Sequence, residues 1–307
     1  MGVRFQGWGI AVPDRVVTND DLSKTLDTSD AWITERTGIR ERRIGGSSRT
    51  LGGLAAQRAM DATGVGPADI DFLVLATTTP DRLVPATAPL IADDLGLTCP
   101  AMDVNAACSG FMFALRTAQG LLETGNRRIL VVGAEHLSRW VDWEDRNMAV
   151  LLADGAGATV LEYDEGDSDI LSFSLGTDGS AADLLTCEHG GFIQMDGKEV
   201  FRRAVRVVVS SAEEALATAG VTADELSLVI PHQANIRIIQ AACQRLGVEM
   251  DRAVVVLDRY GNTSSASIPL AVADAIDNDR VKPGDLALLT GFGAGMTWAS
   301  AVVRWSP

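Results

Sequence analysis

The sequence predicts an α/β protein, and three observations support this fold class. Short runs of β-branched and leucine residues alternate along the chain with longer, Ala-rich amphipathic stretches, which is the order of segments in a strand-and-helix protein. Several strand-like runs are apolar at every position, as expected when helices cover both faces of a sheet. The same order of segments also occurs twice along the 307 residues.

The predicted elements follow from composition and spacing. Runs rich in Val, Ile and Leu, bounded by turn residues, predict strands at Phe72–Thr77, Ile129–Gly133, Ala158–Leu161, Leu226–Ile230, Val254–Leu257, Leu286–Thr290 and Ala299–Trp305. Apolar residues at helical spacing predict helices at Leu51–Thr63, Gly110–Thr124, Val200–Ala219, Asn235–Leu246 and Ser267–Asn278.

The two halves of the chain contain the same parts in the same order. ADIDFLVLATTTP, CPAMDVNAACSGFMFALRTAQGLL, NRRILVVGAE and ADGAGATVLEY are matched by DELSLVIPHQAN, RAVVVLDRYGNTSSASIPLAVADAI, GDLALLTGFGAG and TWASAVVRW. Aligning Leu73 with Leu228 places Cys108 within one residue of Asn262. An internal duplication explains this order. The alternative, that any α/β protein repeats such elements, stays open because few residues are identical.

Composition excludes several classes of protein. The chain is 47% apolar and 22% charged, which is the balance of a globular chain and excludes disorder and collagen. Its 26 Lys and Arg against 41 Asp and Glu give a net charge of −15. This charge repels polyanions, so we expect no nucleic-acid partner.

The start of the chain and its cysteines limit location and chemistry. MGVRFQGWGIAVPD lacks the features of a signal peptide, and no apolar run approaches the ~18–20 residues that span a bilayer. We therefore expect a cytoplasmic protein that does not contact a membrane. Cys99, Cys108, Cys187 and Cys243 form neither a disulfide framework nor a CxxC pair, so we expect no metal site.

Cys108 is the candidate nucleophile. It lies in DVNAACSGFMFAL, between an apolar run and a predicted helix. Unpaired N–H groups and the dipole at a helix start favour the thiolate, which is the reactive form of cysteine. The alternative, a buried structural thiol, is equally compatible with this stretch alone.

His232 is the best placed of the three histidines. In LVIPHQANIRII it follows an apolar run and precedes a helix starting near Asn235, so it is expected at the sheet end that carries Cys108. An imidazole near a helix start is biased toward its neutral form. A neutral imidazole can donate a hydrogen bond to a developing oxyanion.

Asn262 and a glycine-rich segment complete the candidate site. Asn262 in DRYGNTSSAS is predicted to follow a strand and open a helix, although Gly-Asn is also ordinary turn chemistry and Asn a common helix cap. Gly291, Gly293 and Gly295 in LLTGFGAGMTW do not form GxGxxG and lead into another strand, which argues against a dinucleotide loop. We interpret this segment as a tight turn whose N–H groups face the cysteine as an oxyanion hole.

These motifs together resemble a known family. VNAACSGF, PHQANIRII, RYGNTSSAS, GFGAGMTW and TSDAWITERTGIRERR resemble beta-ketoacyl-acyl-carrier-protein synthase III, a thiolase-fold condensing enzyme, in order and spacing over nearly the whole chain. The resemblance implies a thiolase-like fold of two pseudo-duplicated halves in a five-layered αβαβα sandwich. The halves would be 1–165, with Cys108, and 166–307, with His232 and Asn262. The loop from Asp178 to Lys198 looks shorter than is usual in the family, which puts its cover over the acyl pocket in question.

The resemblance also implies the reaction. Cys108 would take an acyl group from acyl-coenzyme A (acyl-CoA), and His232 and Asn262 would bind the thioester carbonyl of malonyl-acyl carrier protein (malonyl-ACP). Two neutral donors stabilise the enolate left by decarboxylation without protonating the attacking carbon. The N–H groups of Cys108 and Ala294 would form the oxyanion hole, and no cofactor is implied. Elongating ketosynthases have a second histidine in place of Asn262, so Cys-His-Asn indicates the starter enzyme of type II fatty-acid synthesis.

The binding residues are carried over by matching motifs. Trp32 and Arg146 match the positions that sandwich the adenine of coenzyme A (CoA). Other positions along the CoA path match Thr28, Arg36, Gly197, Phe201, Ala234, Asn235 and Ile238. Docking of the acidic carrier protein requires local positive charge, for which the candidates are Arg202, Arg203, Arg206, Arg237 and Arg245.

The family position that reaches into the acyl pocket of the partner subunit is Val84 here. The resemblance therefore also implies a homodimer. Because Val is smaller than the aromatic residue of some relatives, we predict that branched or longer acyl groups are accepted. The competing hypotheses are a specialised-metabolism relative that transfers the acyl group to another acceptor, and a non-catalytic subunit of a synthase complex.

Overall fold

Two main β-sheets and their covering helices make up the structure, a computed structural model that describes residues 2–306. The strands are β1 (Gly2–Ala11), β2 (Val16–Thr18), β3 (Glu41–Arg43), β4 (Phe72–Ala76), β5 (Ala101–Val104), β6 (Arg128–His136), β7 (Asp154–Asp164), β8 (Ile170–Thr177), β9 (Leu185–Thr186), β10 (Gln194–Met195), β11 (Leu228–Pro231), β12 (Leu286–Gly293) and β13 (Thr297–Arg304). The α-helices are α1 (Asn19–Leu22), α2 (Asp30–Thr37), α3 (Ser48–Thr63), α4 (Thr87–Asp94), α5 (Gly110–Glu123), α6 (Arg146–Ala149), α7 (Gly197–Ala219), α8 (Ile236–Leu246), α9 (Leu257–Tyr260) and α10 (Ser267–Asp277). No helix within residues 2–306 is long and apolar enough to cross a bilayer.

Four strands of the first main sheet have the same topology as the four strands of the second. The first has the strand order β5-β4-β6-β7-β1, and the second has the order β11-β12-β13-β8. In the first sheet β4 pairs parallel with β6, and β6–β7 and β7–β1 are antiparallel. In the second, β11 pairs parallel with β12, and β12–β13 and β13–β8 are antiparallel. The repeat seen in the sequence is therefore a repeat of the sheet.

One predicted strand is wrong. Residues 254–256 form no strand, and the segment meets β11 through a single bridge from Ala253 to Val229. The buried Gln233 side chain takes over much of the pairing: its Nε2 donates to the carbonyls of Pro231 (2.7 Å) and Val254 (3.0 Å). Its Oε1 accepts from Val256 N at 2.9 Å. The Gln233 side chain thus connects residues 254–256 to the second sheet. In the first sheet, backbone hydrogen bonds connect the corresponding segment, β5, to β4.

Helices and sheets stack in five layers. α3 and α4 cover the outer face of the first sheet, and α5 and α10 lie between the two sheets. α7 and α8 cover the outer face of the second sheet. Small residues allow the closest contacts: a Cβ on Gly9 of β1 would lie 2.3 Å from the Ala55 carbonyl of α3. Several apolar residues of α5, Phe111 and Leu115 among them, are fully buried between the sheets.

Candidate active site

Cys108 lies at the turn between β5 and α5. Residues Ala107–Ser109 form a single 3-10 turn that leads directly into α5. Ala107 has a φ of 48°, a left-handed conformation that alanine adopts only when its surroundings hold it. Such backbone strain often occurs at functional sites. The turn therefore presents the thiol at the start of a buried helix, as the sequence predicts.

The Gly293–Gly295 turn touches the backbone of Cys108. A Cβ on Gly293 would lie 2.6 Å from Cys108 N, so only glycine allows this approach. The Thr297 hydroxyl donates to the Ala106 carbonyl at 2.9 Å and lies 2.8 Å from the Ser109 hydroxyl. These contacts fasten the turn that contains Ala294 to both sides of Cys108. The chain then returns into β13, as expected of a tight turn rather than a dinucleotide loop.

His232 directly follows β11 and is buried. Its backbone N–H donates to the Thr290 carbonyl at 2.7 Å, and its ring packs edge-on against Phe292 with centroids 5.5 Å apart. Ring Nδ1 lies 2.7 Å from the Ser267 hydroxyl. That hydroxyl accepts from Gln233 N at 3.3 Å, and Nδ1 is the acceptor available for its proton. The arrangement selects the tautomer with the proton on Nε2.

Burial keeps the His232 imidazole neutral. Because the ring is removed from water, its pKa falls from the usual 6.5 to about 3. The sequence predicts the neutral form from the dipole of the following helix, and Asn235 is indeed the N-cap of α8. Burial is the larger cause. A neutral ring with an Nε2 proton is a hydrogen-bond donor at physiological pH.

Asn262 does not follow a strand, which corrects the prediction. It follows the short helix α9 and Gly261, whose φ is 66°. Backbone bonds hold Asn262 on both sides, since its N–H donates to the Leu151 carbonyl and its carbonyl accepts from Ala153 N, each at 2.9 Å. Its Oδ1 accepts from Ser264 N at 2.9 Å. Because Oδ1 is occupied, Nδ2 is the free donor of the side chain.

The three candidate residues converge. The Ser264 hydroxyl, two positions after Asn262, lies beside the Cys108 thiol. Gly291 lies close to both His232 and the residue that follows Cys108: a Cβ on Gly291 would lie 3.5 Å from His232 Cβ and 3.8 Å from Ser109 Cα. Cys108, His232 and Asn262, which come from different parts of the chain, therefore lie around one site.

Burial at Cys108 opposes the thiolate that the helix start favours. Burial raises the pKa of the thiol to about 12, and the negative charge of Glu135 acts in the same direction. The backbone N–H of Cys108 lowers it by less. The thiol must therefore lose its proton as its sulfur attacks.

Trp32 of α2 contacts two arginines at the surface. The guanidinium carbons of Arg36 and Arg146 lie 4.5 and 4.7 Å from the Trp32 ring centroid. Arg146 also donates to the Asp27 carbonyl at 2.6 Å. An inserted adenine needs about 7 Å between its two neighbours, so Arg146 must move outward to admit one. The Thr28 hydroxyl nearby is buried without a hydrogen-bond partner.

The remaining candidates for CoA binding lie at the α7–α8 contact. Phe201, Ala234 and Ile238 pack in one apolar cluster, and Gly197 is the first residue of α7. The Asn235 side chain donates to the Arg36 carbonyl at 3.0 Å. This bond joins the α7–α8 group to the group around Trp32, so the predicted CoA positions form one continuous strip.

The loop from 178 to 196 is folded against the Gly293–Gly295 turn. Asp178 and Met296 exchange two backbone hydrogen bonds of 2.8 and 2.7 Å. The loop contains a 3-10 segment, Gly179–Leu184, and the β9–β10 hairpin. Leu184 and Leu185 border a small apolar cavity together with Phe292 and Met296. The loop therefore closes the space behind the turn that contains Ala294.

The arginines predicted to dock a carrier protein differ in their surroundings. Arg202 and Arg203 both pair with Glu199, and Arg203 also pairs with Asp178. Arg237 lies over the Phe201 ring, 5.9 Å from its centroid, which places it beside the predicted CoA strip. For Arg206 and Arg245 the structure records no ion pair within the described residues.

Val84 is exposed to solvent in the isolated chain. Leu83 and Val84 are 81% and 84% exposed at the tip of the loop between β4 and α4. Two large apolar side chains in this position are unusual for a surface loop without a partner. The structure therefore leaves Val84 available to another subunit.

Comparison with known proteins decides the family. The sequence matches 3-oxoacyl-[acyl-carrier-protein (ACP)] synthase III over residues 102–179 and the C-terminal part of that family over residues 216–305. It is 48% identical to the beta-ketoacyl-[acyl-carrier-protein] synthase III of Erythrobacter litoralis, covering 98% of both chains. The chain belongs to the synthase III family. A second relative, from Roseiflexus sp., is 45% identical over 98% of this chain and 97% of its own.

Solved structures of synthase III enzymes have the same fold. That of Aquifex aeolicus superposes with a TM-score of 0.97 at 44% identity, covering 99% of this chain and 100% of the other. That of Pseudomonas aeruginosa superposes with a TM-score of 0.97 at 39% identity, covering 100% and 99%. The predicted thiolase fold, with two pseudo-duplicated halves in five layers, is confirmed.

Some residues that shape this synthase III site escape the sequence reasoning. Ser264, Ser267 and Thr297 contact the candidate catalytic residues or their turns. The serines lie in NTSSAS, directly after Asn262, so their number and position were a usable signal. Glu135 was a second one, as a lone acidic residue at the end of the apolar run ILVVGA.

Proposed function

We propose that this synthase III enzyme starts type II fatty-acid synthesis by joining an acyl group from acyl-CoA to malonyl-ACP. The observation that carries the proposal is the convergence of a nucleophile, a backbone turn and two side-chain N–H donors at one site. The enzyme is an acyltransferase that condenses two thioesters, like the synthase III family to which the chain belongs.

In the first half-reaction Cys108 sulfur attacks the acyl-CoA carbonyl. The tetrahedral oxyanion accepts hydrogen bonds from the N–H groups of Cys108 and Ala294. The close approach of Gly293, the residue before Ala294, to Cys108 N supports this pairing. The C–S bond to CoA then breaks. The proton of the Cys108 thiol ends on the released CoA thiol, and the acyl group remains on Cys108 as a thioester.

In the second half-reaction the malonyl thioester carbonyl binds the Nε2–H of His232 and the Nδ2–H of Asn262. Loss of carbon dioxide puts a negative charge on that carbonyl oxygen, and two neutral donors stabilise it. The resulting carbanion attacks the acyl carbonyl and forms the new C–C bond. Cys108 leaves as a thiolate, and its high pKa favours reprotonation by solvent.

The CoA moiety of acyl-CoA is proposed to lie along the strip from Trp32 to Ile238. Trp32 offers a stacking face for adenine, Arg146 its second face, and the unpartnered Thr28 hydroxyl a free hydrogen-bonding group. Arg36, Gly197, Phe201, Ala234 and Asn235 border the path to Cys108. This chemistry needs no cofactor, because acyl-CoA is a substrate.

The assembly is proposed to be a homodimer in which Val84 reaches the acyl pocket of the other subunit. The exposure of Leu83 and Val84 supports this. A small valine at the pocket wall favours branched or longer starters over acetyl alone. Malonyl-ACP is the proposed protein partner, and Arg202, Arg237 and Arg245 are its proposed contacts. A membrane or nucleic-acid partner is not part of the proposal, and a cytoplasmic location stays a prediction from the sequence.

The test is condensation with a panel of starters. The enzyme is mixed with malonyl-ACP and acetyl-, isobutyryl- or hexanoyl-CoA, and 3-ketoacyl-ACP and carbon dioxide are measured. We expect one carbon dioxide per product and the highest kcat/KM with a starter other than acetyl. Acylated enzyme without carbon dioxide release would instead favour transfer to another acceptor. A strict acetyl preference would reject the role given to Val84.

A further inference from the structure

Glu135 is a buried carboxyl group with no cation beside it. It lies near the end of β6, is 0% exposed, and has no ion-pair partner within residues 2–306. Burying a carboxyl group is unfavourable unless many donors compensate. Burial raises the pKa of Glu135, whereas hydrogen bonds from Thr79, Ser265 and Thr78 lower it. A core position with this cost is expected to have a role beyond packing.

The donors come from two loops that border the active site. From the segment after β4, Thr78 N donates at 3.1 Å and the Thr79 hydroxyl at 2.6 Å. From the segment after Asn262, the Ser264 and Ser265 hydroxyls donate at 3.0 and 2.8 Å. Glu135 thus ties the Asn262 segment to the first sheet.

The segment that Glu135 holds is strained. Ser264 has a φ of 49°, in the left-handed region, which is unfavourable for a residue with a side chain. Ser264 N is also the group that binds Asn262 Oδ1, at 2.9 Å. The conformation of Ser264 therefore sets the rotation of the Asn262 amide, and hence the direction of its Nδ2–H.

The segment after Asn262 packs against the first sheet at a position that only glycine can occupy. A Cβ on Gly133 of β6 would lie 2.6 Å from the Ser265 carbonyl. Two positions along the same strand, Glu135 then reaches the serine hydroxyls. Strand β6 thus accommodates the segment after Asn262 at Gly133 and binds it through Glu135.

We propose that Glu135 is a positioning residue for the condensation step, which holds the left-handed Ser264 turn and thereby fixes the Asn262 amide. This inference rests on the proposed function, in which Asn262 acts only after Cys108 has been acylated. Glu135 touches no reacting atom in that scheme. Its loss should therefore slow the second half-reaction and not the first, since removal of the Glu135 charge lowers the pKa of Cys108.

The experiment separates the half-reactions in Glu135→Gln. A glutamine keeps the size but has one acceptor oxygen and adds an N–H₂ group that faces hydroxyl donors. We expect condensation by pre-acylated enzyme to fall about ten- to a hundredfold and acylation by less than about threefold, since a displacement of about 1 Å suffices for such a loss. Asp169→Asn is the matched control: it alters a buried carboxyl group that binds Phe5 N and Ser306, and it should leave the ratio of the two rates unchanged.

A second variant tests the cause. Glycine adopts the left-handed conformation without strain, so Ser264→Gly needs less support from Glu135. In that background Glu135→Gln should slow condensation by a smaller factor than in the parent. Equal factors in both backgrounds, or an equal loss in both half-reactions of Glu135→Gln, would overturn the inference.

A crystal structure of Glu135→Gln keeps the inference separate from the proposed function. If the parent enzyme is acylated but makes no 3-ketoacyl product, the proposed function fails. The structure then decides the positioning role alone. A broken bond between Asn262 Oδ1 and Ser264 N supports that role, and an unchanged bond contradicts it.

Discussion

The Ser267 hydroxyl lies 2.7 Å from Nδ1 of His232, and this contact favours the tautomer with the proton on Nε2. Removing it in Ser267→Ala lets the ring adopt either tautomer. We expect condensation to fall about tenfold, because a donor aimed at the enolate is lost part of the time. Acylation of Cys108 should change little.

Nitrogen-15 NMR of the imidazole measures the cause directly. The parent should show the Nε2–H tautomer, and Ser267→Ala a mixture. Ser211→Ala removes a buried hydroxyl that bonds Ser300 at 2.7 Å and serves as the control. Unchanged tautomer populations in Ser267→Ala would contradict the assignment of the proton.

Burial of neutral His232 should make the protein less stable in acid. The folded-state pKa of about 3 lies below the usual value of 6.5 for histidine, so unfolding takes up a proton below pH 6.5. As the pH decreases, the His232 imidazole should therefore lower the free energy of unfolding by up to about 1.4 kcal/mol per pH unit. Chemical denaturation between pH 7 and 4 measures it. His232→Gln should show a shallower fall, and an identical slope in both proteins would refute the claim.

The raised pKa of Cys108 predicts how its alkylation depends on pH. With a pKa of about 12, the thiolate fraction and hence the rate should rise about tenfold per pH unit from pH 7 to 10, without a plateau. Iodoacetamide labelling followed by peptide mass spectrometry measures it. Cys187→Ser removes the exposed thiol and is the suitable background. A plateau near pH 7 would show that the helix start outweighs burial.

Gly293→Ala should damage the oxyanion hole. The new methyl group would lie 2.6 Å from Cys108 N, which overpacks the turn and costs about 1–3 kcal/mol of stability. Acylation should fall steeply, as monitored by mass spectrometry alongside thermal unfolding. Gly120→Ala in α5 is the control, because nothing lies within 4 Å of the added carbon. It should be stable and active, and equal behaviour of the two variants would disprove the contact.

Trp32→Ala should weaken binding of acyl-CoA. Loss of a stacking face for a base is worth about 1–3 kcal/mol, so KM for acyl-CoA should rise about five- to 150-fold with kcat nearly unchanged. Trp143→Ala removes another partly exposed tryptophan as the control. A KM unaffected by Trp32→Ala would exclude the proposed adenine site.

The repeat could be predicted from the sequence because it lies in the apolar strands themselves. β4, β6, β11 and β12 each pack between helices, so their residues show their burial directly. The sequence does not predict β1 and β8, because their Gly and Ser residues are explained only by contacts with other elements. Gly9 of β1, for example, is required by its close contact with α3. Residues 254–256 read as a strand because they are apolar, yet Gln233 rather than a neighbouring strand satisfies their backbone.

The candidate site was predicted in its residues and only partly in its electrostatics. Cys108, His232 and Asn262 stand out because each combines a reactive or polar type with a turn signal. The pKa of Cys108 could not be predicted, because it depends on how deeply the turn is buried and on Glu135, which is distant in sequence. The roles of Ser264 and Ser267 likewise depend on contacts across the chain.

Single-turnover mass spectrometry of Cys108 tests the whole account most directly. The enzyme is acylated with a stoichiometric acyl-CoA, freed of CoA, and mixed with malonyl-ACP while protein mass and carbon dioxide are followed. The account predicts an acyl adduct on Cys108 that disappears at the rate at which carbon dioxide and 3-ketoacyl-ACP form. An adduct on another residue, or carbon dioxide release that leaves the Cys108 adduct in place, would contradict it.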